Sequence, residues 1–190
     1  MKKIIKMLTY DSFFNIILRG NRSLIARFSA WLLWVTGSFD SNSQRPIAIG
    51  RGFRFIGVKN VCFKKKVSFG IMARIETYDK GMISFGYDTS FGDYFHAGSI
   101  RSIKIGNNVL GGSNILIIDH NHGSVGDMKL GEHPPRERSL ISKGGIVIED
   151  SVWLCDGVTI LSNVRIGEGS IIGPGVVVRD NVKPRSLVLE

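Results

Sequence analysis

A chain of 190 residues with 23 Gly and 5 Pro has room for one domain, an appendage and a continuous core, and its glycine content suits a β-structure with many corners rather than a disordered chain. The net charge of +9 is compatible with nucleic acid, an anionic membrane surface or a phosphorylated small molecule. Nucleic acid ranks last, because outside one short run basic and aromatic residues are not interleaved; the two cysteines, Cys62 and Cys155, have no metal-binding spacing and fit a reducing compartment.

Residues 1–45 stand apart from the rest. MKKIIKMLTYDSFFNIILRG and SLIARFSAWLLWVTG hold clustered apolar residues broken by Lys, Asp and Arg, which predicts one or two short helices. The longest uncharged stretch, Phe28 to Phe39, is too short to span a bilayer, and Lys6 and Asp11 interrupt what would be the apolar part of a signal peptide. The segment is expected to cap an open end of the structure that follows. The second reading is a basic amphipathic stretch against the inner membrane face, favoured by Phe28, Trp31 and Trp34.

From Pro46 a six-residue rhythm starts unevenly, at Ile49, Phe55, Val61 and Val67, then slips. It returns with Phe85 and Phe91 in the aliphatic place, where their size predicts wider or less regular turns of chain. Lys64, Lys65 and Lys66 read as an exposed edge that discourages strand pairing. Ile105, Gly111 and Ile117 restore the register, which then stops for 119–145. So long an interruption inside a compact repeat points to a functional arm. From Ile148 the period is unbroken: Ile148, Leu154, Ile160, Ile166, Ile172 and Val178, each followed four places later by a small or β-branched residue. A helix needs apolar recurrence at three and four, and a lone strand at two. A period of six fits a solenoid whose coil is a triangle of short parallel strands, with Gly, Asn and Asp at the corners. Residues 46–190 are therefore expected to form one β-solenoid carrying the arm.

Three of the four histidines, His120, His122 and His133, lie in the arm, the first two where a strand ends. An imidazole titrates near neutral pH and suits the removal of a proton from an alcohol attacking a thioester. His120 is the expected base. Asp119 is its neighbour, but successive residues on an extended chain point apart. His122 is balanced between local hydrogen bonding and a substrate role, and His133, Arg136 and Arg138 between a solvated surface and contact with an anionic sugar. Cys155 has no base beside it and reads as a small packing residue.

The hexads resemble those of the hexapeptide-repeat acyltransferases, a resemblance that implies a left-handed parallel β-helix. The segment ILIIDHNHG, the polar arm with its Pro-containing stretch and GIVIEDSVWLCDGVTIL are together similar to the sugar O-acetyltransferases of lipopolysaccharide and capsule assembly, over roughly residues 83–182. The resemblance implies acetyl-CoA as acyl donor without a metal, His120 as general base, and a sugar hydroxyl as acceptor in a cytoplasmic homotrimer whose sites lie between subunits. Contact with the inner membrane face is the open addition. For substrate it implies His96, Asp119, His122 and Arg136, with His96 standing in because Gly98 replaces the usual acceptor-gripping Asn. For the cofactor it implies Trp153, Gly157, Gly175, Arg179 and Lys183. Family members generally continue beyond Glu190 with a Gly-x-Pro-Ala segment and a closing helix, so a shortened chain is expected. The rival expectations are the same chemistry on serine or on the amine of a nucleotide sugar, a zinc hydratase on the same helix, and a non-catalytic scaffold; the i, i+2 spacing of His120 and His122 speaks against the hydratase.

Overall fold

The computed structural model describes residues 42–44, 48–123 and 133–190, together with Leu24, Arg27, Phe28 and Trp31. The expected cap or membrane-contacting segment at 1–45 lies outside the described residues apart from 42–44 and those four, which are exposed.

Eighteen strands of two to four residues follow one another from Ala48–Ile49 (β1) to Leu187–Val188 (β18), and until the last coil every third strand stacks in parallel on its predecessor. Three parallel sheets result, of seven, six and five strands, and these are the faces of a prism. The chain is the parallel β-helix that the hexads imply. Its core is a single column: on the first sheet Ile49, Phe69, Phe91, Gly111, Leu154, Ile172 and Val188 lie in register. The sequence register is corrected in one place. Phe63 and Phe69, not Val61 and Val67, hold the aliphatic place, because the slip falls before Val61; the two valines are buried two positions earlier.

Before the arm, phenylalanines take about half of the inward positions. Phe63 stacks on Phe85 with ring centroids 5.1 Å apart, and Phe69 on Phe91 at 5.9 Å. Size is balanced between neighbouring coils: a Cβ on Gly111 would collide with the Phe91 ring, so glycine at that place leaves the volume for the aromatic of the preceding coil. After the arm the column is aliphatic throughout, with Ile148, Leu154, Ile160, Ile166 and Ile172 all buried.

The irregular spacing has a single location. The step from first to second sheet is always six residues, as from Ile49 to Phe55 and from Leu154 to Ile160, and so is the step from third to first, as from Phe63 to Phe69. From second to third it varies. It is eight residues from Phe55 to Phe63, ten from Ile75 to Phe85, eight from Ala97 to Ile105, thirty-one from Ile117 to Ile148, and six from Ile160 to Ile166. Every departure from the hexad, the arm included, therefore emerges from one edge of the prism.

Candidate active site

At that edge the chain continues two residues past the core position before it turns, which stacks Thr77, Ser99 and Asp119 on successive coils. Polar groups buried here must be satisfied. Thr77 Oγ1 donates to the Gly57 carbonyl at 2.6 Å, and Ser99 Oγ donates to Asp119 Oδ2 at 2.7 Å. Asp119, wholly buried, also accepts the Ile100 N–H at 2.9 Å and the Arg101 N–H at 3.0 Å. Burial alone raises its carboxyl, but the bonds from His120, Ile100, Ser99 and Arg101 prevail and hold it below the ordinary carboxylate range. The carboxylate thus fixes the corner of the preceding coil and faces the prism rather than the solvent.

The bend that sends Asp119 inward turns His120 outward, yet keeps Nδ1 of the imidazole 3.2 Å from Asp119 Oδ1. An ionised carboxylate only accepts, so Nδ1 carries the proton and Nε2 is left as the basic nitrogen. The His120 side chain is 10% exposed, and the Tyr78 ring meets it edge-on at 5.9 Å. One residue further, Asn121 exchanges both backbone hydrogen bonds with Ile141 at 2.9 Å. This bridge closes the base of the arm and pins the imidazole from the far side; residues 124–132 lie outside the described set.

His120, with Ile118 and Asn121, lines two clefts. One, of about 230 Å³, is completed by Arg74, Glu76, Tyr78, His96 and His122. The other, of about 350 Å³, is completed by Lys143, Leu161, Ser162, Asn163, Arg179 and Asp180. In the first, Arg74 Nε lies 3.3 Å from Glu76 Oε1, and His96 Nε2 lies 3.1 Å from Glu76 Oε2. Arg74 Nη2 lies 3.0 Å from His96 Nε2 and 3.3 Å from Nδ1, so Arg74 and Glu76 both converge on the His96 ring. Burial lowers the His96 pKa, and Arg74 and His120 lower it further against the opposing pull of Glu76, so the ring is neutral. Tyr78 is raised by burial and by Glu76. Gly98 lies between Glu76 and Ile118 on the adjoining strands, where a Cβ would stand 3.2 Å from His120 Cε1. Its lack of a side chain opens the floor of this cleft beside the imidazole.

The chain thus brings His120 together with His96, Asp119 and His122 on one side and Arg179 on the other. The remaining expected residues lie elsewhere. Arg136 is exposed on a short turn of the arm, Pro135–Glu137. Trp153 is exposed on the outer face of the first sheet, across the prism from the arm's edge. Gly157 and Gly175 turn the corner between first and second sheets with φ of 75° and 71°, and their N–H groups donate to the carbonyls of Ser113 and Asp156. Lys183 lies on the last coil. Sequence reading passed over Arg74, Glu76, Tyr78 and Asn163. Arg74 and His96 are in register because that coil is 22 residues long, a length concealed by the uneven edge. Among the described residues no group of three or more His, Cys, Asp or Glu is arranged to hold a metal ion, and no helix is long and apolar enough to cross a membrane.

Comparison with known proteins bears on the same region. The family described as bacterial transferase hexapeptide (six repeats) matches residues 145–180. A protein of Escherichia coli K12 named as a lipopolysaccharide biosynthesis O-acetyl transferase, WbbJ, is 33% identical over 132 residues, covering 68% of this chain and 67% of its own. The galactoside O-acetyltransferase of Lactococcus lactis is 35% identical over 80 residues, covering 42% of this chain and 35% of its own, so the chain spans about a third of that relative. In structure, the N-acyltransferase AntD of Bacillus cereus, solved with dTDP and 3-hydroxybutyryl-CoA, superposes with a TM-score of 0.62 at 15% identity, covering 81% of this chain and 80% of that one, a likeness of fold.

Proposed function

Because the chain belongs to the hexapeptide-repeat acetyltransferases, we propose that it transfers an acetyl group from acetyl-CoA to a sugar hydroxyl of a bacterial surface-polysaccharide precursor. The observation that carries this reading is the His120 imidazole, held in one tautomer by a buried carboxylate and shared by two clefts. The sugar occupies the cleft of Arg74, Glu76, Tyr78 and His96, whose hydrogen-bonding groups suit a polyol. The thioester approaches through the cleft of Lys143, Asn163 and Arg179, where two cations favour an anionic donor.

Attack is direct. His120 Nε2 takes the hydroxyl proton as the sugar oxygen bonds to the thioester carbonyl carbon. The tetrahedral intermediate collapses with cleavage of the C–S bond, and the departing CoA sulfur receives the proton from Nε2. Asp119 does not touch substrate in this scheme; it holds the ring and offsets the charge of the transient imidazolium. His122 lines the sugar cleft, and Arg136, exposed on the arm, is the candidate contact to an anionic sugar.

The assembly we propose is a homotrimer. Leu110, Trp153, Ile171 and Leu187 form an in-register apolar stripe on the outer face of the first sheet, with Leu110, Trp153 and Leu187 exposed. A stripe of this kind suits burial against a second copy. Trp153, Gly157, Gly175 and Lys183 would then meet the donor from a neighbouring subunit. Trp153→Glu is expected to give a monomer in analytical ultracentrifugation. The donor places the reaction in the cytoplasm.

The substrate class is tested on the product. Polysaccharide from cells with and without the gene is compared by mass spectrometry, before and after mild base. An acetyl increment that base removes is the expected ester. An increment that survives base is an amide, and would transfer the reading to an amino sugar.

A further inference from the structure

Charge is distributed unevenly along the prism. Residues 48–75 hold seven Lys and Arg and no Asp or Glu, whereas residues 145–190 hold four basic and six acidic residues. The cations of the first coils are not confined to one face. Arg51 lies at the corner between β1 and Arg54–Ile56 (β2), and Arg54 on the outer face of β2. Lys59 lies at the next corner, before Val61–Phe63 (β3), and Lys64 and Lys65 at the third, before Ser68–Phe69 (β4). Together they make a collar around one end of the rod. Lys66 faces Asp88 at 3.7 Å and Arg74 is paired with Glu76, but Arg51, Arg54, Lys59, Lys64 and Lys65 have no ion-pair partner among the described residues.

Exposed apolar side chains accompany the collar. Ile56 is 46% and Met72 43% exposed, and in the segment before the prism Leu24, Phe28 and Trp31 are exposed, with the Phe28 and Trp31 rings 5.8 Å apart. Edge protection does not explain the cations beside β3, whose outer edge Ser43 and Gln44 already cover, nor would it call for apolar companions. A single-stranded nucleic acid would call for a basic track with aromatic platforms along it, which a collar around the end of a prism does not provide. Cations on the same coils as exposed Ile and Met, in a chain whose preceding segment exposes Trp and Phe, suit the headgroup region of a bilayer.

We propose that the N-terminal end of the prism is a docking surface for an anionic lipid bilayer, with the rod standing on the membrane. His120 lies three coils from β2, so the catalytic edge is held about 15 Å from the collar at the usual spacing between strands. The docking is independent of the acetyl-transfer assignment.

Co-sedimentation of the full chain with vesicles tests it. The chain is expected to partition onto phosphatidylcholine vesicles containing phosphatidylglycerol, not onto phosphatidylcholine alone, and to be released by high salt. Each lost cation lowers partitioning about fivefold, so neutralising three in Arg51→Gln/Arg54→Gln/Lys59→Gln costs about a hundredfold. Lys64→Gln/Lys65→Gln, on another corner, costs about twenty-fivefold by the same reckoning. Lys104→Gln/Arg185→Gln, away from the collar, is expected to bind as wild type, and all three variants are expected to keep acetyl transfer to a water-soluble acceptor. Equal partitioning of wild type and either collar variant, indifference to phosphatidylglycerol, or tighter binding to a single-stranded RNA oligomer at the same salt would overturn the proposal.

Discussion

The coils before the arm and those after it solve one packing problem differently. From Ile148 to Val178 the chain repeats every six residues and fills the prism with Ile, Leu and Val, and the last coil is shorter, with four residues from Val178 to Val182. Before it, Phe55, Phe63, Phe69, Phe85 and Phe91 share the column with smaller residues and one edge carries two to four extra residues per coil. The downstream coils make a regular rod whose edge gives Leu161, Ser162, Asn163, Arg179 and Asp180 to the second cleft. The upstream coils spend their irregularity on that edge, where the extra residues supply Thr77, Ser99 and Asp119 to its interior and Tyr78 to the cleft beside it. Departure from the repeat marks the edge at which the candidate site lies.

The sharpest way to break this comparison is in the two columns. Phe85→Ala removes a ring packed against Phe63, Phe69, Phe91 and Phe95 and is expected to cost about 4 kcal/mol, against about 3 kcal/mol for Ile160→Ala downstream. Denaturant midpoints would show it; a smaller loss at Phe85 would mean that the aromatic column is loosely filled. Asp119→Ala leaves the Ser99 hydroxyl and two N–H groups without an acceptor and is expected to cost about 2–3 kcal/mol. The same change is expected to lower kcat more than either KM.

The two clefts separate in kinetics. Glu76→Gln is expected to raise the acceptor KM by about tenfold with little change for acetyl-CoA, and Arg179→Ala to do the reverse. The smallest effect concerns pH. The folded state holds His96 below its ordinary pKa, so the unfolded chain binds the proton more readily. Stability is accordingly full above about pH 6.5, the unfolded value, and falls as the pH drops below it. His96→Gln should flatten that slope in thermal melts between neutral and mildly acid pH.

Sequence alone disclosed the solenoid because the downstream hexads are uninterrupted, and it drew attention to His120, which lines both clefts, because that residue stands where the rhythm stops. It missed the slip before Val61, since a count of six from Phe55 lands on Val61 and Val67, which are themselves aliphatic and buried. That error concealed the coil lengths, and with them the register that sets Arg74 beside His96 and Glu76 beside Gly98. The reading of Asp119 turned on a local rule: neighbours on a strand point apart, but the chain bends at Asp119, and the rule does not hold there. Trp153 shows the other limit. Its position on the first sheet is legible from the hexad, whereas any meeting with His120 depends on a second chain.

The account rests on the imidazole between the clefts, and acceptor-dependent release of CoA by purified His120→Ala tests it most directly. The account predicts a fall of about a hundredfold to ten-thousandfold, with an unchanged melting temperature and unchanged acetyl-CoA binding. Release within a few-fold of wild type from a folded His120→Ala protein would contradict it.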